Sequence, residues 1–376
     1  MRRASLLTLA VLTTAFAACG DGSDPVNRVK GDAVTVYASL PAHGEAADAG
    51  RATERGMRRA LAEAKGRAGG RDVRLVVLSS TRPSDERWDP GTVEANAERA
   101  VDDVKTIAYV GELDQGGSAV SLPVTNRAGI LQVSPADGLT SLTRRPPGRP
   151  RAGPERYYPE GERTFVRLVP PDLDAAREIV ARLRERGARR LAIVDGEQIS
   201  DHELEGMVLA LIGTGLPQTV AQVAARETDD PRQTREQAAE LAEELAEAKP
   251  DAILYSGAAG PEAGALLADI ATRVPGAPVW GGPALATGAG RFSLAPGESC
   301  ALTAVAPSVA ANARQGYDAM RLVLDAIEDG GGDRRAVIAA GRKPGRRGGP
   351  IRPFEIDRRG DAVGRPVSCL ALTPAS

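Results

Sequence analysis

The chain has 376 residues, of which 42% are hydrophobic, 26% charged and 3% aromatic. This is the composition of a folded globular protein, and it excludes wholesale disorder, a collagen-like repeat and a long coiled coil. The 48 basic residues nearly balance the 50 acidic ones, giving a formal net charge of −2. Because nucleic-acid binders usually carry a clear basic excess, we expect no nucleic-acid partner. The length favours two domains of ordinary size.

The N-terminus has the parts of an export signal. Arg2 and Arg3 precede an apolar run over 6–16, which is too short to cross a bilayer. We therefore predict a signal peptide over 1–18. No later run of about 20 apolar residues follows it, so only the N-terminus is expected to contact a membrane.

The end of this signal resembles the lipobox of bacterial lipoproteins. Ala17 and Ala18 lead directly into Cys19, although Phe16 stands where leucine is usual. The resemblance implies that Cys19 is lipidated and becomes the mature N-terminus. The alternative is an ordinary secretory signal that is cut near Ala18. The polar segment over 19–32 is rich in Gly, Pro, Ser and Asp, and we interpret it as a flexible tether.

Two cysteines remain after Cys19, namely Cys300 and Cys369. An oxidising exterior permits a disulfide between them. The alternative is two unpaired buried thiols, which behave as small hydrophobic side chains. The sequence leaves both alternatives open.

Strand and helix patterns alternate along the first half of the chain. The predicted strands cover 33–40, 73–78, 106–110 and 130–133, and the predicted helices cover 50–65, 93–104 and 118–127. Apolar strands that alternate with helices indicate a parallel sheet covered on both faces. The segment 144–163 is dense in Pro, Gly and Arg, and it interrupts the pattern.

The alternation then restarts and forms a second, similar half. Strands are predicted over 164–168, 191–194, 219–223, 252–255 and 278–280, with helices over 173–186, 204–212, 234–248 and 262–272. Gly187 is expected to end one of these helices. The C-terminal part predicts a strand over 303–305, a long helix over 309–328, and two closing strands over 351–356 and 366–372. The predicted fold class is α/β, with two doubly wound parallel-sheet lobes.

Catalytic and metal-binding motifs are absent from the sequence. No phosphate-binding loop and no nucleophile elbow occur. The only histidines, His43 and His202, are far apart in the chain and lack metal-ligand spacing. We therefore expect neither an enzyme, nor a metal site, nor a cofactor. Two α/β lobes that face each other form a cleft able to close over a small solute.

Five segments, in order, resemble the branched-chain amino-acid type of periplasmic binding protein, the solute receptor of ABC importers. They are the glycine-rich turn at 111–118, the segment 128–143, the crossover 164–172, the late-helix segment 315–319 and the hairpin turn Gly360-Asp361. The resemblance covers nearly all of residues 33–372. It implies the type I periplasmic binding fold, an extracytoplasmic monomer, a small polar solute and ABC permease subunits as partners.

The resemblance also implies a domain partition and a binding site. A hinge crossed three times would separate lobe one (33–166 plus 307–348) from lobe two (167–306 plus 349–376). The ligand would lie between the turns that end the strands of both lobes. The positions of this sequence that match those turns are Asp114, Gln115, Gly116, Ala136, Asp137, Gly138, Gln198, Ala258, Pro283 and Ala284.

Some of these residues depart from the pattern of the amino-acid binders. Asp114 and Asp137 stand where hydroxyl groups usually hold the carboxylate of the ligand. Pro283 and Ala284 supply no acid for its ammonium group. Because like charges repel strongly at low dielectric, we predict that plain aliphatic amino acids bind poorly and that a cationic or hydroxyl-bearing group is favoured. The alternative is that the aspartates turn away and cap their own loops.

Three functional hypotheses follow from these observations. The leading one is a solute-binding lipoprotein, anchored outside the cell membrane, that delivers a small polar molecule to an ABC importer. The alternative is a sensor or orphan receptor of the same fold that does not transport. A secreted hydrolase is the third, and the absence of a nucleophile motif argues against it.

Overall fold

The computed structural model of the chain describes residues 27–44, 46–84, 87–226, 228, 230–287, 299–304, 308–347 and 354–372. The predicted signal peptide, the lipidation site Cys19 and most of the tether lie outside these ranges. Among the described residues, no helix is both long enough and apolar enough to cross a bilayer.

The first part of the chain builds a six-stranded sheet. Its strands are β1 (Ala33–Leu40), β2 (Arg67–Ala68), β3 (Arg71–Ser79), β4 (Thr106–Val110), β5 (Leu131–Ser134) and β6 (Phe165–Arg167), and its helices are α1 (Ala47–Glu63), α2 (Pro90–Asp102) and α3 (Ser118–Arg127). The strand order is β2-β3-β1-β4-β5-β6, and only the β2–β3 pair is antiparallel. Two short 3₁₀ helices, Thr140–Leu142 and Pro154–Tyr157, lie between β5 and β6.

The second part repeats the arrangement. It contains α4 (Leu173–Arg186), β7 (Arg190–Asp195), α5 (Ile199–Ile212), β8 (Gln218–Ala224), α6 (Pro231–Ala248), β9 (Ala252–Tyr255), α7 (Pro261–Arg273), β10 (Val279–Gly281), α8 (Pro283–Ala286) and β11 (Cys300–Thr303). The C-terminal part adds α9 (Val309–Gly330), α10 (Arg334–Arg342), β12 (Gly345–Arg347), β13 (Phe354–Ile356), β14 (Ala362–Val363) and β15 (Ser368–Ala371). The second sheet has the order β15-β11-β10-β9-β7-β8, parallel except for β15.

Each sheet is covered on both faces, as doubly wound folds require. One face of the first sheet packs against α1, α9 and α10 through a core that includes Met57, Met320 and Ile338. The opposite face buries Ala97 of α2 beside Tyr109. In the second sheet, α6 and α7 cover one face while α4 and α5 cover the other. The predicted fold class, two doubly wound α/β lobes, is confirmed.

The helices α1 and α9 approach each other through glycine. A Cβ atom added to Gly56 would lie 1.8 Å from the carbonyl oxygen of Ala313. One added to Gly316 would lie 2.0 Å from the carbonyl oxygen of Thr53. Because no side chain fits at these two positions, the glycines let the long α9 seat closely on the first lobe.

The C-terminal strands differ from the prediction of two closing strands. β13 pairs with β12 and β14 in a separate three-stranded antiparallel sheet, whereas β15 joins the second lobe through β11. Phe354, Ile356 and Ala362 belong to the hydrophobic core of the first lobe. The predicted boundary of lobe two at residue 349 is therefore wrong, because the apolar face of this small sheet is buried against lobe one. The last crossing lies between β14 and β15.

Cys300 and Cys369 are joined by a disulfide, with 5.4 Å between their Cα atoms. Cys300 begins β11, and Cys369 lies on β15, its antiparallel neighbour. The bridge therefore ties the last strand of the chain to the edge of the parallel sheet of lobe two.

Candidate ligand-binding cleft

A cavity of about 310 Å³ lies between the two lobes. Its walls include Asp114 and Ala136, which follow β4 and β5 of the first sheet, and Ala258 and Pro283, which follow β9 and β10 of the second. The carboxyl ends of both parallel sheets therefore face the same space, which is where open α/β sheets bind ligands. The volume is at the small end of the ~300–1,000 Å³ typical of ligand pockets.

Seven of the ten predicted ligand contacts line this cavity. Gly116, Asp137 and Gly138 do not, and they have structural roles described below. The lining residues among the predicted set are Asp114, Gln115, Ala136, Gln198, Ala258, Pro283 and Ala284.

Asp137 is a loop-capping residue. Its side chain is fully buried and accepts hydrogen bonds from three backbone N–H groups, those of Gly116 (3.1 Å), Ser118 (2.9 Å) and Leu139 (3.0 Å). These donors occupy the carboxylate, and Asp137 does not line the cavity. The alternative, that it caps its own loops, is what the structure shows. Burial raises the pKa of Asp137, while the three N–H groups oppose that rise.

Gly116 and Gly138 do not line the cleft, but they allow the neighbouring residues to pack closely behind it. Gly116 has a φ of +82°, and an added Cβ would lie 3.1 Å from Cγ2 of Ile199 in the other lobe. The N–H of Gly138 donates to Oε1 of Gln115 at 2.9 Å. An added Cβ at Gly138 would lie 2.1 Å from Oδ1 of Asp172. Both positions therefore require a small residue, and neither of them lines the cavity.

Asp172 is a cleft residue that the sequence reasoning missed. It immediately precedes α4, where an aspartate normally caps the helix, yet its side chain makes no capping hydrogen bond. The residue is 6% exposed and lines the cavity. Among the described residues, no group donates a hydrogen bond to its carboxylate. Burial raises the pKa of Asp172 well above its ordinary value, with Asp137 and Glu203 adding to the rise and Arg167 opposing it.

Asp114 has an equally sparse environment. Its only side-chain donor among the described residues is the Ser80 hydroxyl, at 3.4 Å. Burial, and then the nearby charge of Asp137, raise the pKa of Asp114 to about 7. Two carboxyl groups thus face the cleft with little compensation from the protein.

The remaining walls are mainly apolar. Trp88 and Leu113 contribute from the first lobe, and Val169, Pro170 and Val367 contribute from the hinge segments. The sequence reasoning missed these residues, since an apolar side chain at a hinge carries no pattern that separates it from core. A second set of polar side chains comes from the start of α9 and includes Asn312 and Gln315.

Side chains of one lobe contact the other around the cleft. The Arg87 guanidinium of lobe one forms an ion pair with the carboxylate of Glu262 at the start of α7. The N–H of Ser141 donates to Oε1 of Glu203 on α5 at 3.0 Å. The guanidinium of Arg149 donates to the carbonyl oxygen of His202 at 2.7 Å. These contacts hold the lobes together over the cavity.

A buried ion-pair network joins the first crossing to the C-terminal hairpin. The guanidinium of Arg167 is fully buried and donates to Oδ1 of Asp361 at 2.7 Å. Arg144 donates to the other oxygen of Asp361 at 2.6 Å. Burial opposes ionisation of Asp361, but Arg167, Thr143 and Arg144 keep its pKa below the ordinary value. Arg167 is therefore already neutralised and leaves the cleft carboxyls without a full counter-charge.

A second polar cluster lies in lobe two. His202 Nδ1 lies 2.7 Å from Oδ2 of Asp195, and Gln222 donates to Oε1 of Glu205 at 2.7 Å. The potential metal-binding atoms of Asp195, His202 and Glu205 all lie within 4.8 Å of one another. Hydrogen bonds within the lobe already engage all three side chains, so we interpret the cluster as structural.

No protein-family model and no curated protein matches the chain. Solved structures do resemble it. The leucine binding protein LivK of Thermotoga maritima aligns with a TM-score of 0.65 and 21% identity, over 91% of this chain and 99% of that one. An R. palustris solute binding protein in complex with benzoate aligns with a TM-score of 0.64 and 20% identity, over 92% and 97%. LivJ of Streptococcus pneumoniae, in complex with isoleucine, aligns with a TM-score of 0.66 and 16% identity, over 88% and 93%. The predicted fold is thus confirmed, and the chain has the fold of the type I periplasmic binding proteins.

Proposed function

We propose that the chain captures a small solute in the cleft between its lobes and delivers it to an ABC importer. The observation that carries the proposal is the cavity itself, which lies at the carboxyl ends of both sheets and is bridged by contacts between the lobes. Similar solved structures support the same reading, since they include ABC-transporter solute binding proteins in complex with benzoate and with leucine.

The proposed location is outside the cytoplasmic membrane, with a lipid on Cys19 as the only anchor. The sequence of the first 19 residues supports this part of the proposal. The first described residues lie against lobe one, where the N–H of Val29 donates to the carbonyl oxygen of Gly332 at 2.8 Å. A tether that starts there would hold the folded lobes near the membrane surface. In this arrangement we expect a monomer that meets permease subunits with both lobes.

Binding in the cleft can be tested by filling it. Ala258→Trp places a large ring in the cavity, whereas Ala95→Trp places the same ring on the exposed face of α2 and serves as the control. A library of small metabolites is screened against the wild-type protein by thermal shift, and each hit is measured by calorimetry against both variants. We expect hits that bind wild type and Ala95→Trp equally and lose at least tenfold affinity in Ala258→Trp. Hits that bind all three proteins equally would contradict the proposal.

Delivery is tested separately, with the partner permease and ATPase reconstituted in proteoliposomes. We expect ATP-dependent uptake of the bound solute that needs the binding protein. Tight binding without uptake by the permease encoded beside this chain would instead favour the non-transporting receptor.

A further inference from the structure

We propose that the solute is a small organic cation, an amine on a mainly apolar body without a carboxylate, whose ammonium group binds between Asp114 and Asp172. This inference rests on the proposed function, since it names the class of ligand for the same cleft. It uses a pair of acids that the sequence reasoning did not assemble.

The first step of the argument is that one turn brings the two acids to the same wall. The N–H of Asp172 donates to the carbonyl oxygen of Gly138 at 2.8 Å. The N–H of Gly138 in turn donates to the side chain of Gln115, the neighbour of Asp114 in the chain. Asp137, buried beneath this turn, acts electrostatically on both Asp114 and Asp172. Gly138 therefore links the backbone of Asp172 to the residue that follows Asp114, and both acids line the same cavity.

The second step is that neither carboxyl group is satisfied by the protein. Asp172 is 6% exposed, caps no helix and receives no hydrogen bond from any residue that the structure describes. Asp114, which is half-buried, has only the 3.4 Å contact with the Ser80 hydroxyl and a hydrogen bond from its own backbone N–H. Buried polar groups are normally hydrogen-bonded, so exceptions that line a cavity point to a missing donor.

The third step is the local balance of charge. The acidic groups that act on the two cleft acids are Asp137, Asp174 and Glu203. The nearest cations are already engaged, Arg167 with Asp361 and Arg87 with Glu262. An anion bound here would require the two acids to stay protonated, whereas an ammonium would pair with their ionised forms.

The fourth step concerns the body of the ligand. Beyond the two acids, the walls are largely apolar and include Leu113, Val169 and Pro170. Trp88 lines the same cavity, and an indole ring attracts cations that lie over its face. A small, compact amine fits a site that combines Asp114 and Asp172 with apolar walls better than a free amino acid does.

The test uses two sets of three ligands. The members of a set share one apolar body and carry an ammonium group alone, both an ammonium and a carboxylate group, or a carboxylate group alone. The aliphatic set is 3-methylbutylamine, leucine and 4-methylpentanoate, and the aromatic set is 2-phenylethylamine, phenylalanine and 3-phenylpropionate. Choline is added as a quaternary cation. Each ligand is measured by calorimetry at pH 7 in two buffers of different ionisation enthalpy. We expect at least one of the three cations to bind at least tenfold more tightly than its comparison ligands. For 3-methylbutylamine and 2-phenylethylamine the comparison ligands are the amino acid and the carboxylate of the same set, and for choline they are all the carboxylates of the panel. Binding should release protons, because the ammonium favours ionised Asp114 and Asp172.

Three variants locate the effect. Asp114→Asn and Asp172→Asn should each weaken cation binding at least tenfold, the size expected for losing a hydrogen bond to a charged group. Glu94→Gln removes an acid from the exposed face of α2, outside the cavity, and should leave the affinity unchanged. If an asparagine variant fails to fold, Gly138→Ala serves instead, since its added Cβ would displace the carboxylate of Asp172 rather than remove it.

The outcomes separate the two proposals. Preferred binding of a carboxylate, proton uptake on binding, or equal affinities in Asp114→Asn, Asp172→Asn and Glu94→Gln would each overturn the cation assignment. Any of these results, together with loss of binding in Ala258→Trp, would leave the proposed solute-binding function in place. If no ligand of the panel and no library compound binds wild type, both proposals fail.

Discussion

Asp114→Asn should make the stability of the empty protein less dependent on pH. In the unfolded chain this carboxyl group titrates near its ordinary pKa of 3.8, whereas burial and Asp137 raise the pKa in the folded state to about 7. Between these values the unfolded chain has released the proton and the folded protein still holds it. Rising pH therefore favours unfolding, and the stabilisation present below pH 3.8 is lost as the pH passes through about 7.

The size of the effect follows from the two pKa values. The difference between 3.8 and about 7 corresponds to a loss of up to roughly 4 kcal/mol in unfolding free energy between pH 4 and pH 8. Asparagine does not titrate, so the variant lacks this contribution. Burial raises the pKa of Glu112 to about 8 in both proteins, and the charge of Asp114 adds only a minor contribution, so most of the Glu112 titration cancels in the comparison.

The assay is urea unfolding of ligand-free wild type and Asp114→Asn at pH 5 and pH 8.5, followed by circular dichroism. We expect the unfolding free energy of the variant, relative to wild type, to increase by more than 1 kcal/mol between the two pH values. Glu94→Gln, on the exposed face of α2, controls for the removal of one carboxylate. A relative stability of Asp114→Asn that is constant or falls with pH would refute the argument, because it would show that the carboxyl group is well solvated when the cleft is empty.

Further predictions address the anchor, the bridge and the packing. Cys19→Ala should release the protein into the soluble fraction or leave a longer precursor, and membrane fractionation with wild-type mass would contradict lipidation. Thiol titration of the denatured, unreduced mature protein should find no free thiol, and two free thiols would refute the bridge. Cys300→Ser/Cys369→Ser should lose about 2–4 kcal/mol of unfolding free energy. Asp137→Asn should lose on the order of 2 kcal/mol, because an amide cannot accept from all three N–H donors, and an unchanged urea midpoint would contradict this. Gly316→Ala should destabilise by about 1–3 kcal/mol through overpacking against α1, whereas an unaltered unfolding curve would show that the helices separate freely.

Much of the fold could be predicted because its strands and helix interiors follow simple apolar patterns. The observed bounds Thr106–Val110, Ser118–Arg127 and Leu173–Arg186 coincide with the predicted ones. Gly187 ends its helix in the left-handed conformation, with φ 68° and ψ 32°, as expected.

The starts of helices were predicted less well, for a common physical reason. α2 and α6 begin three residues earlier than predicted, each with an aspartate N-cap followed by proline. α5 begins five residues earlier, in a polar first turn. Caps and first turns are polar and precede the apolar stripe, so a periodicity argument starts too late. The short α10, capped by Asp333, was missed entirely.

The candidate site, like the helix starts, could be predicted only in part. The turns that follow β4, β5 and β10 could be placed at the cleft, since the carboxyl ends of parallel strands share one edge. Asp114 was predicted and lines the cavity, but the opposite placements of Asp137 and Asp172 could not be predicted. Asp137 occupies a turn typical of ligand contacts but satisfies three backbone donors, while Asp172 occupies a cap position but faces the cavity. The direction of a side chain depends on tertiary hydrogen bonds that leave no trace in local sequence.

The most direct test of solute capture is to identify what the protein carries. The mature protein is purified without denaturation from its own host and examined by native mass spectrometry, and the released small molecule is identified after unfolding. We predict one small molecule per chain in wild type and Ala95→Trp, and none in Ala258→Trp. Re-addition of that molecule to the emptied wild-type protein should restore the complex. A wild-type protein that carries no small molecule and binds none on addition, or one whose bound molecule persists in Ala258→Trp, would contradict the account.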